Sequence, residues 1–76
     1  MAVNYAYNYA EVVIEGGLCI GVVTTTDPDM NGYVTVEGTM YVSIPVNDPD
    51  YGFKYYIDGN WYEDAEGTIP WTSSLL

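Results

Sequence analysis

Apolar and polar residues alternate with a period of two along most of the chain, and Val, Ile, Thr and Tyr dominate the alternating positions. That pattern predicts strands and gives no sign of a helix. Over residues 10–14, Ala10, Val12 and Ile14 share one face and Glu11 and Val13 the other. Glu15, Gly16 and Gly17 read as a tight turn. Residues 18–23 follow, with Leu18, Ile20 and Val22 inward, closing a first hairpin. Residues 24–32 are polar and rich in turn formers. A third strand is expected over 33–37, with Val34 and Val36 inward, then a turn at Gly38 and Thr39. Residues 40–44 return with Met40, Val42 and Ile44 inward and Tyr41 and Ser43 outward. Pro45 ends regular pairing, because proline cannot donate to a ladder, and residues 47–52 form a second polar loop.

The last hairpin carries the strongest local signal. In FKYYIDGNWYED, Asp58 and Gly59 separate two aromatic runs. Asp-Gly suits a two-residue type I′ turn, whose central residues both need positive φ. The implied register sets Ile57 against Asn60, Tyr56 against Trp61, Tyr55 against Tyr62 and Lys54 against Glu63. The expected architecture is all-β, with about six short antiparallel strands in hairpins forming a small open barrel or a sandwich. It divides into an N-terminal aromatic arm (1–8), one β domain (9–66) and an irregular C-terminal tail (67–76). Extended, the arm puts Tyr5, Tyr7 and Tyr9 on one face. The tail ends on Leu75 and Leu76, which need something to pack against.

Length and charge narrow the function classes. Seventy-six residues make one domain with little stability to spare. Cys19 is the sole cysteine and there is no histidine, so an internal disulfide is excluded and zinc is disfavoured. Eleven carboxylates against one cation, Lys54, give a net charge of −10. Such a surface repels phosphate backbones and anionic lipid, so neither nucleic acid nor membrane is an expected partner. A basic protein or a divalent cation fits better. The hydrophobic fraction of 49% and nine tyrosines argue for a folded chain. The N-terminus lacks the basic and apolar regions of a secretory signal, and the sequence reads as a complete small product.

Three clusters are candidates for chemistry. In TDPDMNGY, Asp27, Asp29 and Asn31 are spaced like the first ligands of a calcium loop, with Gly32 at the sharp turn. The bidentate acid due at the twelfth place is missing, since Gly38 stands there. The competing reading is a turn built from residues that favour turns on their own account. Calcium binding is therefore expected to be weak at best, with no other cofactor. Asp48, Pro49 and Asp50 repeat the turn chemistry. Tyr56 and Trp61, with Tyr41 and Trp71 nearby, would offer rings to a sugar or a partner; the same rings would also serve as core. Glu63, Asp64 and Glu66 supply acids, yet a domain this small lacks depth for a water-excluding cleft, and a lone strand cysteine is inert. No enzyme is expected.

YAEVVIEGGLCIGVV (9–23) with YVSIPVNDPDYGFKYYIDGNWYE (41–63) resembles a small β module of tail-fibre and other virion-associated proteins of tailed bacteriophages. The matching residues are Tyr9, Ala10, Cys19, Gly21, Val22, Ile44, Pro45, Lys54, Tyr55, Gly59 and Trp61, about half the chain. The resemblance implies a structural or attachment role in the virion without catalysis, and supplies no ligand-binding residues. The expected function is a non-enzymatic structural component of a phage particle, tail, fibre or capsid-associated. It would assemble with itself or a larger virion protein through its strand edges, the arm tyrosines Tyr5, Tyr7 and Tyr9, and the Trp71 tail. The alternative is a carbohydrate-binding module that recognises a host glycan through Tyr56, Trp61 and Trp71.

Overall fold

The computed structural model describes residues 7–76. Its strands are β1 (Tyr7–Val13), β2 (Cys19–Thr25), β3 (Thr39–Ile44), β4 (Tyr55–Ile57) and β5 (Asn60–Tyr62), with one 3-10 turn at Pro49–Tyr51. They form two antiparallel sheets, β2-β1-β3 and β4-β5. The all-β expectation holds, with five strands in place of about six and no closed barrel. The sheets meet at one corner, where Cys19 donates to the Lys54 carbonyl, Phe53 to that of Cys19 and Tyr56 to that of Gly17, each at 2.8 Å. One face of the larger sheet (Ala10, Val12, Cys19, Val42 and Ile44) packs with Tyr51, Tyr56, Trp61 and Trp71 into a single core.

The first hairpin forms with a changed phase. β1 starts at Tyr7, so the end of the expected arm is strand; residues 1–6, including Tyr5, lie outside the described residues. Register runs from Tyr7↔Thr25 to Glu11↔Gly21, then jumps to Val12↔Cys19. Ile20 is the extra residue of a β-bulge. A bulge advances the side-chain phase by one, so Cys19 and Val22, three apart, both reach the core. Ile20 is exposed, against expectation. Ile14 is exposed too, because β1 ends at Val13 and the chain is already turning.

The expected third strand is absent. Val34 makes one isolated bridge, to Met40, and both Val34 and Val36 are exposed. β3 takes β1 as its ladder partner, with Ala10↔Val42 and Val12↔Met40. Val42 and Ile44 are buried as expected. Residues 31–39 instead loop along the outer edge of β3 and cap it: Tyr41 donates to the Tyr33 carbonyl (3.0 Å), Gly32 to that of Tyr41 (2.7 Å) and Thr35 to that of Thr39 (2.9 Å).

The last hairpin has the expected register, Tyr55↔Tyr62, Tyr56↔Trp61 and Ile57↔Asn60, with φ of 50° at Asp58 and 85° at Gly59. It stops one pair short of Lys54 and Glu63. The Lys54 carbonyl goes to Cys19, the Glu63 N–H goes to Ile69 (2.8 Å), and the Lys54 ammonium lies 5.3 Å from the Trp71 ring centroid. The tail runs beside β5 through a Tyr62↔Pro70 bridge and a 3.0 Å bond from Trp71 N–H to the Trp61 carbonyl.

Candidate functional site

The aromatic cluster is built around Tyr51, a residue the sequence reading passed over as part of a polar loop. Asp48 caps the 3-10 turn by accepting from the Asp50 N–H (2.9 Å), which turns Tyr51 into the core. Trp61 meets the Tyr51 ring edge-on at 4.9 Å and 71°, Trp71 does so at 4.8 Å and 78°, and Tyr56 lies 5.1 Å from Trp61. Edge-to-face geometry is the favoured way for rings to share a core. Tyr56, Trp61 and Trp71 are therefore brought together as expected. Tyr41 is not among them: it lies 6.3 Å from Tyr33, beside the capping loop.

Beside Trp61 and Trp71 opens a cleft of about 290 Å³, lined also by Pro45, Asn60, Ser73 and Leu76. Ser73 is buried and its hydroxyl donates to the second oxygen of Asp48, which is 2% exposed. That bond and the Asp50 N–H satisfy the Asp48 carboxylate within the protein. Burial, with the Asp48 charge adding to it, pushes the Tyr51 phenol up from its ordinary pKa. The cluster is thus apolar at its centre and meets water at one open side.

The tyrosines of the arm face divide. Tyr7 is exposed, whereas Tyr9 is only 2% exposed. The TDPDMNGY loop folds over Tyr9: its hydroxyl donates to the Asp27 carbonyl (2.8 Å) and accepts from the Met30 N–H (3.4 Å). Two of the three candidate calcium ligands already have a side-chain oxygen engaged within the protein. Asp27 Oδ1 accepts from the Asp29 N–H (2.9 Å), closing a turn on itself. Asn31 Oδ1 accepts from the Ser43 N–H (2.8 Å), so its side chain continues the cap on β3. Among the described residues, no three Asp, Glu or Cys side chains are grouped to hold a metal.

The remaining acids and the thiol are also placed. Asp64 accepts from the Thr68 hydroxyl and from the N–H groups of Thr68 and Ile69 (both 2.9 Å). The Thr68 hydroxyl, then the Ile69 N–H, hold its pKa below the ordinary value. Glu63 and Glu66 are exposed. Glu11 accepts from the Thr39 hydroxyl (2.7 Å). Burial pushes the Cys19 thiol up, which keeps it protonated and unreactive at neutral pH.

No family model, curated protein or solved structure matches this chain.

Proposed function

We propose that the chain is a non-enzymatic structural component of a phage particle, of the tail-fibre or virion-associated kind its sequence resembles, and that it works by protein–protein contact. The observation that carries this reading is the apolar surface. Tyr33, Val34, Val36, Phe53, Leu75 and Leu76 all stand exposed on a chain of net charge −10. Large apolar side chains in solvent mark contact surfaces when they are grouped, and Tyr33, Val34 and Val36 share one short loop. The charge keeps the free chain dispersed until a partner covers them.

The test is mass spectrometry of purified particles from a phage that encodes the chain. A fixed copy number per particle is expected, with incorporation falling in a Val34→Asp, Val36→Asp variant. Absence from washed particles would overturn the reading.

Glycan binding is the second reading, and the cleft beside Trp61 and Trp71 favours it. Against it, these indoles already pack against Tyr51, and Asp48, the buried acid beside the cleft, is already bonded to Ser73. A glycan array separates the two: binding abolished by Trp61→Ala would favour the module.

A further inference from the structure

The chain covers its sheet edges unevenly. The outer side of β3 is capped by residues 31–39, down to the Asn31 side chain on the Ser43 N–H. The outer side of β5 is covered by residues 69–71. The start of β2 is paired through Cys19 to Phe53 and Lys54. Beyond Cys19 the outer side of β2 has no strand beside it among the described residues.

The hydrogen-bond phase identifies what that edge presents. Thr39, Tyr41 and Ser43 point their peptide groups away from β1, so Met40, Val42 and Ile44 bond to Val12, Ala10 and Asn8. In an antiparallel ladder the groups alternate. Tyr7, Tyr9 and Glu11 therefore face β2, where they meet Thr25, Val23 and Gly21. Val22 and Thr24 turn both N–H and C=O outward. The usual guards of an edge are charge and proline. Residues 16–26, GGLCIGVVTTT, contain neither. At the end of the open stretch stands Phe53, its side chain 79% exposed and its backbone held at φ 67° where its N–H joins Cys19, a conformation costly for a bulky residue.

We propose that this edge pairs antiparallel with the same edge of a second copy, giving one continuous sheet across a two-fold axis near Val23. The proposal rests on the assembly reading above and names its first contact. Three features select a second copy. The phase is self-complementary: Val22 of one chain and Thr24 of the second copy form a hydrogen-bonded pair, twice over, with the two Val23 side chains adjacent. The segment is neutral in a chain of eleven carboxylates, so the ladder sets no carboxylate against another; charges farther away are screened over about 8 Å at physiological salt. Antiparallel pairing also brings the Asp27 and Asp29 end of each edge to the end of the other that carries Lys54, the sole cation.

Sedimentation of the intact chain from micromolar concentration up to about 1 mM, with residue-resolved amide exchange at both limits, tests this. The expected result is a shift from 8.4 kDa to twice that mass, with exchange at Val22 and Thr24 slowing about tenfold or more. Val22→Pro removes an outward N–H and none of the bonds to β1. Thr24→Asp, at an exposed position, sets like charges near the axis and leaves the backbone intact. Both variants should stay monomeric; Thr24→Asp should keep an unchanged far-UV spectrum and melting temperature, whereas Val22→Pro, whose side chain also packs on the core, should melt lower. A chain monomeric throughout, or a dimer in which Val22 and Thr24 exchange freely, would overturn the proposal. Either could occur while the chain still enters particles, so the particle test judges the assembly reading separately.

Discussion

A methyl group added at Gly17 has nowhere to go. It would overlap the carbonyl of Tyr56, the residue whose N–H donates to the Gly17 carbonyl and so joins the two sheets at that corner, and φ is 82°. Gly59 has a similar φ of 85° with open space around it. Gly17→Ala should therefore cost about 2–4 kcal/mol, from strain and overlap together. Gly59→Ala should cost about 1–2 kcal/mol, from strain alone. Urea unfolding of both variants would show the order. Gly59 was legible in the sequence because Asp-Gly is a local signal. Gly17 was legible only as a turn residue, since its closest neighbour is thirty-nine positions away in the chain. Tyr9 was hidden for the same reason: its period-two spacing suggested an outward face, and the loop that covers it returns from Asp27 and Met30. Cys19, buried and with a raised pKa, should resist alkylation in the native chain and react fully once urea unfolds it, as intact-mass measurement would show.

At the scale of elements, the ribbon of residues 69–71 depends on one carboxylate. Asp64 in its ionised form collects the bonds of Thr68 and Ile69, which line Ile69 up with Glu63 and Trp71 with Trp61. Its pKa is lowered in the folded chain. The contribution is therefore fully present above the ordinary aspartate value and is lost as pH falls through the lower folded value. Amide exchange at Glu63 and Trp71 should accelerate only in strong acid, whereas Asp64→Ala should show the fast exchange already at neutral pH. No pattern of alternation could have disclosed this ribbon, because it is held by a turn and by backbone bonds to β5. The opposite failure occurred at residues 33–37. Their alternation is as regular as that of β3, yet Gly32 and Gly38, both at positive φ, curl the segment onto the β3 edge before it can extend.

For the molecule as a whole, the tail belongs to the core. Trp71 packs on Tyr51, and the Ser73 hydroxyl satisfies buried Asp48. Removing residues 70–76 should therefore unfold the chain as well as alter any assembly. Ser73→Ala alone should cost about 1–3 kcal/mol, because it leaves a buried carboxylate oxygen short of a partner; thermal melting measures it. Millimolar calcium should raise the melting temperature modestly by relieving the −10 charge. Asp29→Asn with Asn31→Ala should lower the starting stability, through the lost bond to Ser43, while leaving the calcium increment unchanged. A sharp, stoichiometric calcium isotherm abolished by those changes would show a true site.

The bulge at Ile20 has a mechanical consequence. Cys19, just before it, faces Val12 of β1 and is also tied to Phe53 and Lys54, while Gly21 to Thr25, among the described residues, pair with β1 alone. One unmatched residue therefore sits at the joint between two stiff plates. Deleting Ile20 would leave Cys19 opposite Val12, Gly21 opposite Glu11 and Val22 opposite Ala10, so every core side chain keeps its neighbour. What changes is the local twist, since bulges increase it. The shortened chain should fold, with the two plates meeting at a flatter angle and Trp61 and Trp71 less tightly closed on Tyr51. Red-shifted tryptophan emission with an unchanged strand signal in the far-UV would show that this single residue acts as a spacer, setting an angle without contributing a contact.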